Sequence, residues 1–133
     1  MLSSLPGIRF QKVHPADTNT YKDYSIHVTP KVFGMTRDAL AQSLRAENIE
    51  TKKYFYPPLH QQTLYSRFHE PGRDDLSQTE YVADGILSLP IYESLPDETV
   101  RGVAEALKRI AHFASDRKGP RMGGSQSRVP ARQ

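Results

Sequence analysis

Residues 86–114 read ILSLPIYESLPDETVRGVAEALKRIAHFA, and the change of period inside this stretch decides the fold class. Ile86-Leu87-Ser88-Leu89-Pro90-Ile91 has the short apolar character of a strand. Pro96 then suits a first helical position, with Asp97 and Glu98 in a first turn where carboxylates meet the positive end of the dipole. Val100, Val103, Ala104, Leu107, Ile110 and Ala111 follow at helical spacing. The pattern predicts a helix to about Ala114 with one apolar face.

Working outward, Tyr24, Ile26 and Val28 share one face of a period-2 run that predicts a half-buried strand ended by Pro30. Ile8, Phe10 and Val13 give a shorter alternation in the lead-in. Thr36 reads as an N-cap, Leu40, Ala41 and Leu44 form one stripe over about Arg37 to Glu47, and Asn48 suits a left-handed stop. Ile49 to Tyr56 alternates and predicts a further strand, which Pro57-Pro58 cannot continue. Residues 66–80 are polar and loop-like, with a short helix expected from Thr79 to Asp84. Strands carrying one-sided helices predict an α+β two-layer sandwich, a small mainly antiparallel sheet with helices on one face.

The length of 133 residues allows one domain of ordinary size, with a hydrophobic fraction of 37% and no cysteine. Disulfide scaffolds, cysteine zinc sites and thiol nucleophiles are thereby excluded. No stretch approaches the run of about 18 apolar residues that a membrane helix requires. Residues 1–6 have neither a basic nor an apolar signal region, so the expected compartment is the cytoplasm, with no membrane partner. The net charge of +3 sits at one end: residues 116–133 hold five basic residues against Asp116 alone, leaving 13 basic and 14 acidic residues before them. Glycine, proline and a lack of apolar residues there predict a disordered basic tail over 116–133, following a domain of residues 1–115. A near-neutral body gives no electrostatic case for nucleic acid, and no aromatic residue interleaves with the tail's arginines.

The five histidines offer no HExxH and no helical pair, so no metal site is expected; His27 and His112 read as half-exposed surface residues. Nucleophile elbows and phosphate loops are absent from the sequence. Asp74-Asp75 reads as a solvated turn. One segment is different: Tyr54-Phe55-Tyr56-Pro57-Pro58-Leu59-His60-Gln61-Gln62-Thr63-Leu64-Tyr65. A rigid diproline presents an imidazole and several phenol rings together, which suits the wall of a site for a polar, planar ligand. Composition alone also allows a simpler arrangement, in which Phe55 and Leu64 are core and the tyrosines cap the sheet edge.

At this segment the chain resembles the C-terminal small domain of DegT/DnrJ/StrS-type sugar aminotransferases, pyridoxal-phosphate enzymes of the aspartate-aminotransferase fold type. The matching pieces run in the family's order. Leu5-Pro6-Gly7-Ile8 looks like the approach to the small domain, and Tyr24 to Val28 like its first central strand. Phe33-Gly34 with Arg37-Asp38-Ala39-Leu40 resembles the family's helix start, and Asn48-Ile49-Glu50-Thr51 stands where a Gly-Ile pair is usual. Tyr54 to His60 is similar to a Y-F-x-P-L-H signature, and Ile86 to Ile91 with Leu95 to the s-L-P-l-x-p-x-L ending.

The resemblance implies amino transfer, usually from glutamate, to a keto sugar carried on a nucleotide. It implies that His60 and Tyr56, with Tyr54 and Tyr65 beside them, bind substrate. It also implies that pyridoxal phosphate belongs to the intact enzyme, whose aldimine lysine, pyridine partner and phosphate loop lie in a large domain. Lys12, Lys22, Lys31, Lys52, Lys53, Lys108 and Lys118 all fall in small-domain or tail segments. This chain alone is therefore expected to hold no cofactor, to contribute no catalytic residue and to be inactive. Its expected partners are a large-domain chain or an intact homologous aminotransferase, with a nucleotide-sugar in the assembled enzyme. The alternative is a non-catalytic ligand-binding or protein-interaction module derived from that domain; an RNA-binding α+β domain would need a basic aromatic sheet face that the near-neutral body does not supply.

Overall fold

In the computed structural model, residues 2–68, 70 and 75–117 are described. Three strands, β1 (Ile8–Phe10), β2 (Tyr24–Val28) and β3 (Ile86–Leu89), form an antiparallel sheet in the order β1-β2-β3. Ile26 of β2 stands opposite Phe10 on one side and Leu87 on the other. Among the described residues four α-helices accompany the sheet: α1 (Pro30–Phe33), α2 (Arg37–Ala46), α3 (Ser77–Gly85) and α4 (Asp97–Asp116). The architecture is α+β.

The core lies between one sheet face and α1, α2 and α4. Ile26, Val28 and Leu87 from the sheet bury against Phe33, Leu40, Leu44, Leu107 and Ile110. The opposite face carries Ser25, His27 and Ser88, where alternation places the polar residues. Ser25 and Ser88 join their hydroxyls across the strands at 2.7 Å. At the far end His27 stacks on Tyr81 of α3, with ring centroids 4.4 Å apart, and its Nε2 lies 3.0 Å from the Tyr81 carbonyl. His27 is half-buried and His112 exposed.

Local signals explain several boundaries. The Thr36 hydroxyl accepts from the Ala39 amide at 3.2 Å and starts α2. Asn48 takes the left-handed conformation after it, at φ 59°. Gly7 and Gly34 also have positive φ, at 80° and 102°. A Cβ on Gly7 would lie 2.3 Å from the Phe33 nitrogen, and one on Gly34 2.8 Å from the Ala114 carbonyl oxygen. Both are close approaches of backbone to backbone that only glycine permits.

Five expectations need correction. Ile49–Tyr56 forms no strand: Lys52 and Ser88 exchange one pair of main-chain bonds, and the pairing stops there. Its residues from Lys52 to Tyr56 are all exposed, so no buried face holds a second ladder in place. The third strand ends at Leu89, before Pro90, rather than at Ile91. The helix before it begins at Ser77, not Thr79, and Pro96 serves as the N-cap of α4 rather than its first residue. Helix α4 also runs past Ala114 to Asp116, while the tail expected to be disordered falls, from residue 118 on, outside the described residues.

Candidate functional site

Segment 54–65 leaves the sheet edge after the Lys52–Ser88 bridge and turns through cis peptide bonds at Tyr54-Phe55 and Tyr56-Pro57. A 3-10 turn at Leu59–Gln61 follows, then a second at Ser66–Phe68. Between this segment and α3 lies an open cleft of about 710 Å³. Tyr54, Phe55, Pro58, Leu59 and Gln62 form one wall, and Gln78, Thr79, Val82 and Ala83 the other, with Ile86 at the base of α3. Apolar surface with a few amides and hydroxyls is the composition expected of a site for a largely planar, partly polar ligand.

Side chains fix the two walls together. His60 is nine-tenths buried, and its Nε2 lies 3.2 Å from the Glu80 carboxylate on α3. Gln61 donates to the same Glu80 oxygen at 3.2 Å. On the other flank, the Arg37 guanidinium stacks over the Tyr56 ring, 4.5 Å from its centroid. Asp38 accepts from Arg37 Nε and from Lys53 Nζ, each at 2.7 Å.

Of the four residues singled out by resemblance, Tyr54 lines the cleft. Tyr56 packs on Arg37 instead, and His60 is turned onto Glu80. Tyr65 is partly exposed beyond the first turn, its amide donating to the Gln62 carbonyl. The reading of Phe55 and Leu64 as core is overturned, for they are 76% and 63% exposed. Sequence reasoning overlooked Arg37 and Glu80 as organisers. Arg37-Asp38 was visible only as a helix start, where an acidic first turn has a sufficient local explanation.

Charge within the site is local. The Lys53 ammonium, bonded to Asp38, holds the Asp38 carboxyl below its ordinary value of 3.8; burial opposes this, and the Arg37 charge adds to the lowering. The Tyr54 phenol beside Lys52 raises that amine above its usual range. A depressed carboxyl contributes stability that is fully present above its unfolded pKa and lost as pH falls through the folded one. Asp38→Asn should therefore lower the melting temperature by a constant amount between about pH 5 and 7. The difference from wild type should shrink only below pH 3.8. A gap that persists undiminished in strong acid would show that the carboxylate charge is not what matters.

Comparison with known proteins places this geometry. The profile of the DegT/DnrJ/EryC1/StrS aminotransferase family matches residues 1–108. The chain belongs to this family. It is 33% identical over 109 residues to an Escherichia coli dTDP-4-amino-4,6-dideoxy-D-glucose transaminase, covering 80% of this chain and 29% of the enzyme. A dTDP-4-dehydro-2,3,6-trideoxy-D-glucose 4-aminotransferase of Saccharopolyspora spinosa is 31% identical over 121 residues, covering 88% and 28%. The solved structure of DesI with its TDP-sugar product superposes with a TM-score of 0.73 at 26% identity, covering 88% of this chain and 30% of that one. DesV of S. venezuelae, solved with a ketimine intermediate, gives the same TM-score and identity over 83% and 28%. The 133 residues thus span under a third of these relatives and correspond to one part of an aminotransferase.

The family's enzymes depend on pyridoxal phosphate, but the described residues do not fit that group. A Schiff-base lysine needs a sheltered amine beside a ring partner. Here Lys12, Lys22, Lys31 and Lys52 are exposed, Lys53 is paired with Asp38, and Lys108 is paired with Glu105. A phosphate cradle needs free amides around an open concavity. Gly7 and Gly34 instead have the backbone of Phe33 and Ala114 packed against them. Among the described residues no cluster of three or more His, Asp or Glu side chains could hold a metal. No helix among them is long and apolar enough to cross a membrane.

Proposed function

We propose that this chain acts as the small domain of a nucleotide-sugar aminotransferase, which moves an amino group from glutamate to a keto sugar on a nucleotide. The aldimine lysine and phosphate cradle come from a large-domain chain or from an intact homologous aminotransferase. Residues 1–115 are the working domain, and the setting is the cytoplasm. Neither nucleic acid nor a membrane is a partner.

One observation carries this reading. Segment 54–60, which matches the family's aromatic signature, is locked to α2 and α3 by side chains and forms a ready-made wall. Its apolar groups Phe55 and Leu59, with Leu64 and Phe68 beyond, are left exposed, as surface awaiting a partner would be. Tyr54 offers a ring and a phenol to the nucleotide-sugar, with Tyr56, His60 and Tyr65 behind or beside it. The names of the two relatives given above, both transaminases of nucleotide-linked sugars, support the substrate class.

Titrating the purified chain with pyridoxal phosphate tests the division of labour. The spectrum should remain that of free cofactor, and borohydride should fix none of it to the protein. A stoichiometric aldimine band would overturn the claim that the lysine lies elsewhere.

A further inference from the structure

We propose that Arg37 is a positioning residue that sets the cleft, holding segment 53–56 against the junction of α3 and β3. Its side chain is only 4% exposed, an unusual place for a permanent cation at the start of a surface helix. A buried guanidinium is tolerated only where its donors and its charge are matched. Arg37 meets that requirement through three separate pieces of chain. Nε donates to Asp38 at 2.7 Å, and Nη1 donates to the Ala83 carbonyl at 2.9 Å and more weakly to that of Ile86 at 3.4 Å. The face of the guanidinium lies on Tyr56, 4.5 Å from the ring centroid.

The carbonyls are telling. Ala83 sits in the last turn of α3, where helix carbonyls have no partner of their own, so Arg37 caps α3 from a different helix. The contact with Tyr56 matters for a second reason. Among the described residues, 53–57 make no backbone-to-backbone hydrogen bond, and the Pro57 carbonyl accepts only from the Gln62 side chain, at 3.3 Å. Side chains must hold it, and on this flank they are Tyr56 on Arg37 and Lys53 on Asp38. A flat cation stacked on a ring can be fixed by a fork of donors on its edge, which a lysine cannot imitate. One dipeptide at the start of α2 therefore spaces both cleft walls. The consequence for substrate binding rests on the reading of this chain as an aminotransferase small domain; the positioning itself does not.

Limited chymotrypsin cleavage of the full chain tests it without cofactor or partner. Cleavage after Tyr54 and Phe55 should rise about tenfold or more in Arg37→Gln and in Tyr56→Leu, while sites at Tyr24 and Phe113 keep their wild-type rates. Tyr56→Phe keeps the ring and should restore wild-type protection. Arg37→Lys should fall between, since it keeps charge but loses the fork. Should Arg37→Gln fail to fold, the Tyr56 pair decides alone, because that ring is 46% exposed and its loss leaves the core intact. Unchanged cleavage in Tyr56→Leu, a uniform rise across the chain, or no rescue by Tyr56→Phe would overturn the proposal.

Discussion

Ile26→Ala should lower the stability of the chain by about 2–5 kcal/mol. Ile26 is fully buried in the central strand, between Phe10 of β1 and Leu87 of β3, and it faces the layer of α2 and α4. Truncation loses the transfer free energy of three carbons and leaves a void. The neighbours cannot collapse into it easily, because both flanking strands are hydrogen-bonded to β2. Domains of this size are stable by only about 5–15 kcal/mol, so much of the total is at stake. Urea denaturation followed by circular dichroism would measure the loss. A midpoint change worth less than about 1 kcal/mol would mean that the sheet–helix interface is not the main core.

Gly7→Ala should cost about 3 kcal/mol or more, although it adds a single methyl group. The residue has φ 80°, where an L side chain is strained, and its Cβ would lie 2.3 Å from the Phe33 nitrogen and 2.7 Å from its Cα. Those atoms belong to the backbone of α1 and cannot rotate aside. The Gly7 carbonyl also accepts from the Thr29 amide at 2.7 Å, so a shift of this turn would loosen the joint between β1 and α1. Gly102→Ala provides the matched control. It lies inside α4 with nothing within 4 Å of the added carbon, and should stabilise by about 0.5–1 kcal/mol. Thermal melts of the two variants side by side should move in opposite directions; similar shifts would contradict the packing described for Gly7.

The elements that sequence reasoning located well are those whose signals are local. Tyr24, Ile26 and Val28 alternate because one sheet face is core, Thr36 caps because its hydroxyl reaches the Ala39 amide, and Asn48 stops α2 by adopting a left-handed φ. Ile49–Tyr56 shows why alternation alone is insufficient. Its two faces carry lysines and aromatic rings in turn, and neither offers the apolar row that would bury a strand. The organisation of this segment depends on pairings across long separations. Arg37 meets carbonyls 46 and 49 residues away, and His60 meets Glu80 20 residues on. A buried arginine at the first turn of a helix looks, in one sequence, the same as a solvated one.

The stability predictions concern a fold that the chain shares with its relatives; the role of the cleft wall is a separate matter. The most direct test is reconstitution. The purified chain would be mixed with the large-domain part of a related nucleotide-sugar aminotransferase, and glutamate-dependent amination of a keto sugar nucleotide would be assayed with pyridoxal phosphate present. The prediction is that neither polypeptide aminates alone and that the mixture does, with activity lost on Tyr54→Ala in this chain. Amination by this chain by itself, or a large-domain part that associates with it yet gains no activity, would contradict the assignment of this cleft to a small domain completing an aminotransferase.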